Sequence, residues 1–193
     1  MNVYNNNEQY NETMELFNKL PKISRNEYIY SMALCAASNM ISCEENCEII
    51  MNELNQKENS NILNSFFIQS SIINMYVKLN RFAEAEDVFN RNTNQINDNI
   101  YFDNKDILHL YSSIMDCYSK MGNINQLLLL FNNLNQIPLL QNQITVNIYC
   151  IVLNACSHYG YISNALSIFE DIKLKCNHFK NAFSSYYITM NTT

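Results

Sequence analysis

The chain has 193 residues, of which 34 are asparagine, while glycine and proline occur twice each and tryptophan is absent. This scarcity of turn formers excludes collagen-like chains and argues against β-sandwiches and barrels, which need a turn about every 8–12 residues. With 48% hydrophobic and 16% charged residues, the chain has enough apolar material to close a core. The net charge of −6 provides no global positive field that would attract nucleic acid or anionic lipid.

Seven cysteines form an odd set without a CxxC pair, which argues against the disulfide scaffold of a secreted protein and favours a reducing compartment. Apolar runs such as residues 127–131 are far shorter than the roughly 20 residues that cross a bilayer, so we expect no membrane-spanning segment. The N-terminal segment contains Glu8, Glu12 and Glu15 but no arginine before Arg25. Because transit peptides are rich in arginine and poor in acids, no targeting signal is visible.

The predicted elements are helical hairpins that follow one another along the chain. Apolar residues recur at spacings of three and four within each segment, as expected of amphipathic helices. A partial unit over residues 1–26 ends in the helix ETMELFNKL, and the start of a further unit is predicted at 181–193. Between them, four helix–turn–helix units cover residues 27–65, 66–107, 108–145 and 146–180. Polar, asparagine-rich loops join the units.

The two glycines of the chain mark the turn between the two helices of a unit. Gly122 and Gly160 are 38 residues apart, and each is followed nine residues later by a phenylalanine, Phe131 or Phe169. The same template places Asn80 at the turn of an earlier unit. Glycine and asparagine tolerate the left-handed backbone conformation that ends many helices, so we expect that conformation at these positions.

Apolar anchors recur with a constant spacing inside each unit. One anchor lies on the first helix and one on the second, and the two are 16 residues apart. The four pairs are Leu34 and Ile50, Ile73 and Phe89, Met115 and Phe131, and Leu153 and Phe169. Between units the anchors are separated by 39, 42 and 38 residues, so the insertions lie in the connecting loops. Since a single hairpin cannot bury its apolar face alone, we predict an all-α fold in which the units stack into an α-solenoid.

Three of these units resemble pentatricopeptide repeats (PPR), in particular the repeats of plant-type RNA-editing factors. The segments that carry the resemblance are SSIINMYVKLNRFAEAEDVF, YSSIMDCYSKMGNINQLLLLF and YCIVLNACSHYGYISNALSIF, preceded by a more divergent copy in NEYIYSMALCAASNMISCEENCEII. The sequence departs from the family pattern at Ile41 and Asn80, where glycine is usual, and at Leu127, where a small residue is usual. A tetratricopeptide array is the nearest alternative, but its first helix contains a tryptophan, which this chain lacks.

The resemblance implies a surface that binds single-stranded RNA, with one base read by each unit. By position in the repeat, the base-selecting residues are Ser31, Ser70, Ser112 and Cys150. A serine hydroxyl both donates and accepts hydrogen bonds, and in the family it favours purines at this position. The candidate partners at the end of each unit are Asn26, Ser65, Asn142 and Asn181. An ordinary polar helix position remains the alternative interpretation of each serine.

Two further sets of residues follow from the resemblance. The base-stacking residues are Tyr28, Phe67 and His109, with the less suitable Asn147 in the last unit. The phosphate-contacting residues are Lys78, Lys120 and His158. Aromatic side chains can stack on a base, but at these positions they can equally serve helix–helix packing. Lysine near a helix C-terminus also complements the helix dipole without any ligand.

The leading functional prediction is a single-stranded RNA-binding module of an organellar RNA-processing or editing factor, acting within a longer protein or with a partner that supplies catalysis. The sequence contains no H-x-E with P-C-x-x-C signature of a zinc deaminase and no set of metal ligands, so we expect neither enzymatic activity nor a cofactor. A protein–protein scaffold and a non-functional fragment are the alternatives. The resemblance implies the mitochondrion, with the cytoplasm as the alternative, and uncapped repeat ends predict self-association.

Overall fold

The computed structural model of the chain describes residues 1–98 and 103–173, and within these ranges it contains helices and turns but no strand. The α-helices of the described residues, α1 to α11, are Asn2–Asn6, Tyr10–Lys19, Glu27–Ala37, Cys43–Leu54, Ser60–Leu63, Phe66–Lys78, Phe82–Asp98, Asn104–Met121, Ile124–Gln136, Val146–His158 and 162–173. Single-turn 3-10 helices lie at Lys22–Ser24 and Lys57–Asn59. The predicted all-α repeat fold is confirmed.

Two layers of helices run along the structure. The first helices of the hairpins, α3, α6, α8 and α10, pack against one another in chain order. The second helices α4, α7 and α9 each pack on the first helix of their own hairpin, and α7 and α9 also contact the first helix of the next one. Among the described residues, no helix is both long and apolar enough to cross a membrane.

The apolar anchors occupy the interface between these layers in the first three hairpins. On the first helices, Leu34, Ile73 and Met115 are completely buried. Their counterparts on the second helices are buried as well. In the last described hairpin, by contrast, Leu153 is half-buried and Phe169 is 47% exposed. This hairpin has a packed neighbour on one side only within the described residues, and the predicted unit at 181–193 lies outside them.

The turns inside the hairpins confirm the predicted left-handed positions. Asn80, Gly122 and Gly160 have φ angles of 57°, 71° and 78°. The first hairpin differs, because residues 38–42 form a longer connection between α3 and α4 and do not adopt a positive φ. Ile41, which stands where the family has glycine, is fully exposed in this connection. A residue with a bulky side chain thus replaces glycine where the backbone does not require left-handed geometry.

A buried ionic network joins the N-terminal helix α2 to the first hairpin. The Nη1 atom of Arg25 donates to both carboxylate oxygens of Glu53, at 2.7 and 2.8 Å, and the guanidinium also donates to the carbonyl of Leu20. The guanidinium lies 4.0 Å from the ring centre of Phe17. The hydroxyl of Tyr30 donates to Glu53 at 2.6 Å, and burial, reinforced by this carboxylate, raises the pKa of Tyr30. The tyrosine therefore remains a proton donor within this network.

Removal of the Glu53 charge should destabilise the fold strongly. The variant Glu53→Gln leaves the buried Arg25 guanidinium without its counter-charge, which costs about 3–5 kcal/mol in comparable buried pairs. The matched control is Glu15→Gln, which breaks the exposed pair with Lys19 at 3.3 Å and should cost about 0–1 kcal/mol. Urea unfolding monitored by circular dichroism measures the loss of unfolding free energy in both variants. Equal losses would contradict the structural role of the network.

The two glycine turns should differ in their tolerance of alanine. A left-handed conformation costs a residue with a Cβ atom about 1–2 kcal/mol, so both substitutions should lower the melting temperature. At Gly122 the added Cβ would also lie 3.1 Å from Cε1 of Tyr159, whereas at Gly160 no atom lies within 4 Å. We expect Gly122→Ala to lower the melting temperature more than Gly160→Ala, as measured by calorimetry. The reverse order would indicate that the Tyr159 contact does not constrain the turn.

Candidate nucleic-acid interface

The exposed side of the layer of first helices is called the first-helix surface. Two neighbouring grooves run over it. The N-terminal groove, of about 320 Å³, lies between α3, α6 and α8. Its polar lining consists of Ser31, Ser38, Ser71, Asn74, Lys78, Asp116 and Lys120. The central groove, of about 310 Å³, lies between α6, α8 and α10. Its polar lining consists of Ser70, Asn74, His109, Ser112, Ser113, Asp116 and Asn147. Because Asn74 and Asp116 belong to both, the grooves form one continuous polar surface.

The acidic residues are concentrated on the second helices. Within the described helices, α2, α4, α7, α9 and α11 carry twelve acidic and three basic residues. The first helices α3, α6, α8 and α10 carry three of each: Glu27, Asp106 and Asp116 against Lys78, Lys105 and Lys120. The net charge of −6 therefore arises away from the first-helix surface, which is locally neutral.

The base-selecting candidates all lie on the first helices but differ in their surroundings. Ser31 is half-buried, and its Oγ lies 2.8 Å from Oγ of Ser71 on the next hairpin. Ser112 is also half-buried and accepts a hydrogen bond of 2.8 Å from the side-chain amide of Asn147. Ser70 is 6% exposed and donates to a carbonyl of its own helix at 2.8 Å, while its oxygen keeps the capacity to accept. Cys150 is exposed and lines neither groove.

The stacking candidates Tyr28 and Phe67 contact each other directly. Their ring centres are 5.0 Å apart and the ring planes are inclined by 51°. A base between two parallel rings would require a separation of about 7 Å, twice the van der Waals contact distance of about 3.5 Å. In the described structure the two rings therefore pack against each other, and stacking on a base stays a prediction. His109, the third candidate, is exposed and lines the central groove.

Two of the three predicted phosphate-contacting residues lie in the N-terminal groove. Lys78 and Lys120 both line it. Lys78 donates to Oδ1 of Asn39 on the preceding hairpin at 2.8 Å. Lys120 forms an ion pair of 2.7 Å with Asp116, one turn earlier on the same helix. His158 lines neither groove and lies beside the ring of the neighbouring tyrosine at the end of α10.

Two of the four candidate partners at the ends of the units, Asn26 and Ser65, have other contacts in the described structure. Asn26 caps α3 by accepting a hydrogen bond from the backbone of Ile29 at 3.1 Å. Ser65, the last residue of the unit 27–65, donates to Glu27 at the start of that unit at 2.6 Å. Asn142 is exposed in the loop before α10. Asn181 lies outside the described residues.

Sequence reasoning did not single out Asn74 and Asp116, the two residues that both grooves share. Each directly follows the apolar anchor of its first helix, and Asn154 occupies the same position in the last unit. Asn74 and Asp116 also precede a lysine, Lys78 and Lys120 respectively, by one helical turn. A comparison of the residues after the anchors would have found this recurring polar position.

Comparisons with known proteins agree with the repeat architecture. The family model described as PPR repeat matches residues 70–91, 109–136 and 148–176. A chloroplastic pentatricopeptide repeat-containing protein of Arabidopsis thaliana is 31% identical over 108 residues, which are 56% of this chain and 11% of that protein. A mitochondrial pentatricopeptide repeat-containing protein of the same plant is 28% identical over 109 residues, which are 56% of this chain and 14% of that protein. The chain thus spans a small part of the length of these relatives. Proteins built from such repeats are generally non-catalytic and bind RNA.

The cysteines should report the burial pattern of helices α3, α4, α8 and α10. Burial raises the pKa of Cys47 to about 12 and of Cys117 to about 11, and it also raises the pKa of Cys156. These thiols stay protonated near pH 8 and are weak nucleophiles. Cys35 and Cys150 are exposed.

We expect maleimide at pH 8 to label Cys35 and Cys150 rapidly and the three buried thiols only after unfolding in urea. Peptide mass spectrometry after a short pulse measures this order. Labelling of Cys117 as fast as Cys150 in the folded chain would contradict the described packing of α8.

Proposed function

Since the chain is a pentatricopeptide-repeat protein, we propose that it is a single-stranded RNA-binding module in which each helical repeat contacts one base. The observation that carries this proposal is the first-helix surface, where polar side chains of consecutive hairpins meet in two continuous grooves. The unit boundaries 27–65, 66–107, 108–145 and 146–180 belong to the same proposal, with a partial unit at 1–26 and the start of another at 181–193.

Hydrogen bonds between neighbouring hairpins indicate where the bases of an RNA would bind to the first-helix surface. Ser31 with Ser71, and Ser112 with Asn147, form hydrogen bonds of 2.8 Å across neighbouring units. These hydroxyl and amide groups can exchange such a bond for a base edge, because each can donate or accept. The neighbouring units thus supply paired polar groups at the place where a base would lie.

Base stacking at the first two units requires the aromatic pair to open. The contact of Tyr28 with Phe67, at 5.0 Å between ring centres, leaves no room for a base. Tyr28 is 58% exposed, so its ring can turn away at low cost in buried area. A base that enters between them would gain about 1–3 kcal/mol of stacking per ring by analogy with other single-strand binders.

The cellular role in the proposal is recognition within organellar RNA processing or editing. The relatives are named as chloroplastic and mitochondrial proteins, and we propose the mitochondrion first, with the cytoplasm as the alternative. A few bases read by a few repeats give little selectivity, so the module would act in a longer chain or with a protein that supplies catalysis.

A protein–protein scaffold is the second candidate function. The excess of acidic residues on the second helices, twelve against three basic ones in the described part of the chain, favours a basic partner on that side. Self-association through the last hairpin stays part of the proposal; among the described residues, the apolar side chains Ile162, Leu166 and Phe169 of α11 are exposed.

RNA binding should be selective for single strands and sensitive to salt. We expect fluorescence anisotropy to show binding of A-rich single-stranded RNA at low salt, and weaker binding as salt rises, because phosphate contacts release counterions. The double variant Lys78→Ala/Lys120→Ala should bind more weakly and with a flatter salt dependence. The matched control is Lys19→Ala, which removes a lysine in an ion pair on α2, away from both grooves.

Absence of binding at low salt, or equal binding of duplex and single strands, would refute the RNA proposal. An equal loss of affinity in the Lys19 control would show that overall charge, and not the first-helix surface, governs binding.

A further inference from the structure

Asp116 has a special place on the first-helix surface. It lines both the N-terminal and the central groove, and it is the acidic member of their described lining. Its carboxylate Oδ2 lies 2.7 Å from Nζ of Lys120. The side chains of Asp116 and Lys120 are 37% and 51% exposed, and such exposed pairs contribute little to folding. This pair therefore bears on the electrostatic potential of the groove more than on the stability of the fold.

The two lysines of the N-terminal groove have different partners. Lys78 donates to the neutral Oδ1 of Asn39 at 2.8 Å, and no described carboxylate lies within 4 Å of its ammonium. Lys120 is paired with a carboxylate that precedes it by four residues on the same helix, which is the favourable orientation for an ion pair. The ammonium of Lys78 is thus available to a phosphate, whereas the charge of Lys120 is neutralised by Asp116.

We infer that Asp116 is a positioning residue that restrains Lys120 and thereby limits the attraction of the surface for phosphate. A phosphate that approaches Lys120 meets the carboxylate within a few ångströms, well inside the Debye length of about 8 Å at physiological salt. Phosphate contacts carry no sequence information. By weakening them, Asp116 keeps the binding of arbitrary single strands low, so that retention of an RNA depends on contacts to its bases. This inference rests on the proposed RNA-binding function.

The test compares Asp116→Asn with Glu84→Gln in the full chain. Glu84 is paired with Arg81 at 2.7 Å on a second helix and lines neither groove, so both variants lose one negative charge from an exposed ion pair. Affinities for A-rich and for U-rich single-stranded RNA are measured by anisotropy over a range of salt concentrations. Asp116→Asn should raise the affinity for both RNAs several-fold and by the same factor. The slope of log K against log salt should steepen by about 0.7.

Two further variants and the salt dependence of the control make the outcome decisive. Asp116→Glu retains the charge and should behave as the unaltered chain, whereas Asp116→Asn/Lys120→Ala should lose the gain in affinity and in slope. Glu84→Gln should leave the slope unchanged. Equal changes in RNA affinity for Asp116→Asn and Glu84→Gln would overturn the inference while leaving RNA binding established. A higher affinity of Asp116→Asn for only one of the two RNAs would do the same. If the unaltered chain binds neither RNA, the proposed function and this inference both fail.

Discussion

The structure depends on one constraint: a hairpin of two short amphipathic helices has more apolar surface than its own two helices can cover. Leu34, Ile73 and Met115 are completely buried because each first helix is enclosed by its own second helix and by the first helices beside it. Burial of side chains of this size contributes about 1.5–3 kcal/mol each, which an isolated hairpin would largely forfeit. The array of hairpins is therefore the folding unit, and no single repeat is.

The same constraint creates the surface that the proposed function uses. Because the first helices lie next to one another, side chains of neighbouring hairpins come within hydrogen-bonding distance. Lys78 contacts Asn39, and Ser112 contacts Asn147, although each pair is more than 30 residues apart in the chain. An RNA strand would follow this direction, from hairpin to hairpin, and would replace contacts that the chain makes with itself.

Charge separation between the layers reconciles an acidic chain with the proposed polyanionic ligand. The second helices carry most of the acids, and the buried carboxylate of Glu53 is neutralised by Arg25 inside the N-terminal part of the structure. The first-helix surface is left locally neutral, with Asp116 and Lys120 paired within it. Under the proposed function, such a surface would attract phosphates weakly and give the base contacts more influence on which RNA is retained.

The sequence by itself determined the helical repeat, the spacing of its anchors and the left-handed turns at Asn80, Gly122 and Gly160. These features are local, since they depend on helical periodicity and on the few residue types that tolerate a positive φ. Only the tertiary structure decided that Tyr28 packs on Phe67, that Ser70 is nearly buried, and that Asp116 lines both grooves. Periodicity tells which side of a helix a residue occupies, but not how far neighbouring hairpins are offset. That offset follows from the packing of side chains distant in the sequence, and it determines which side chains meet.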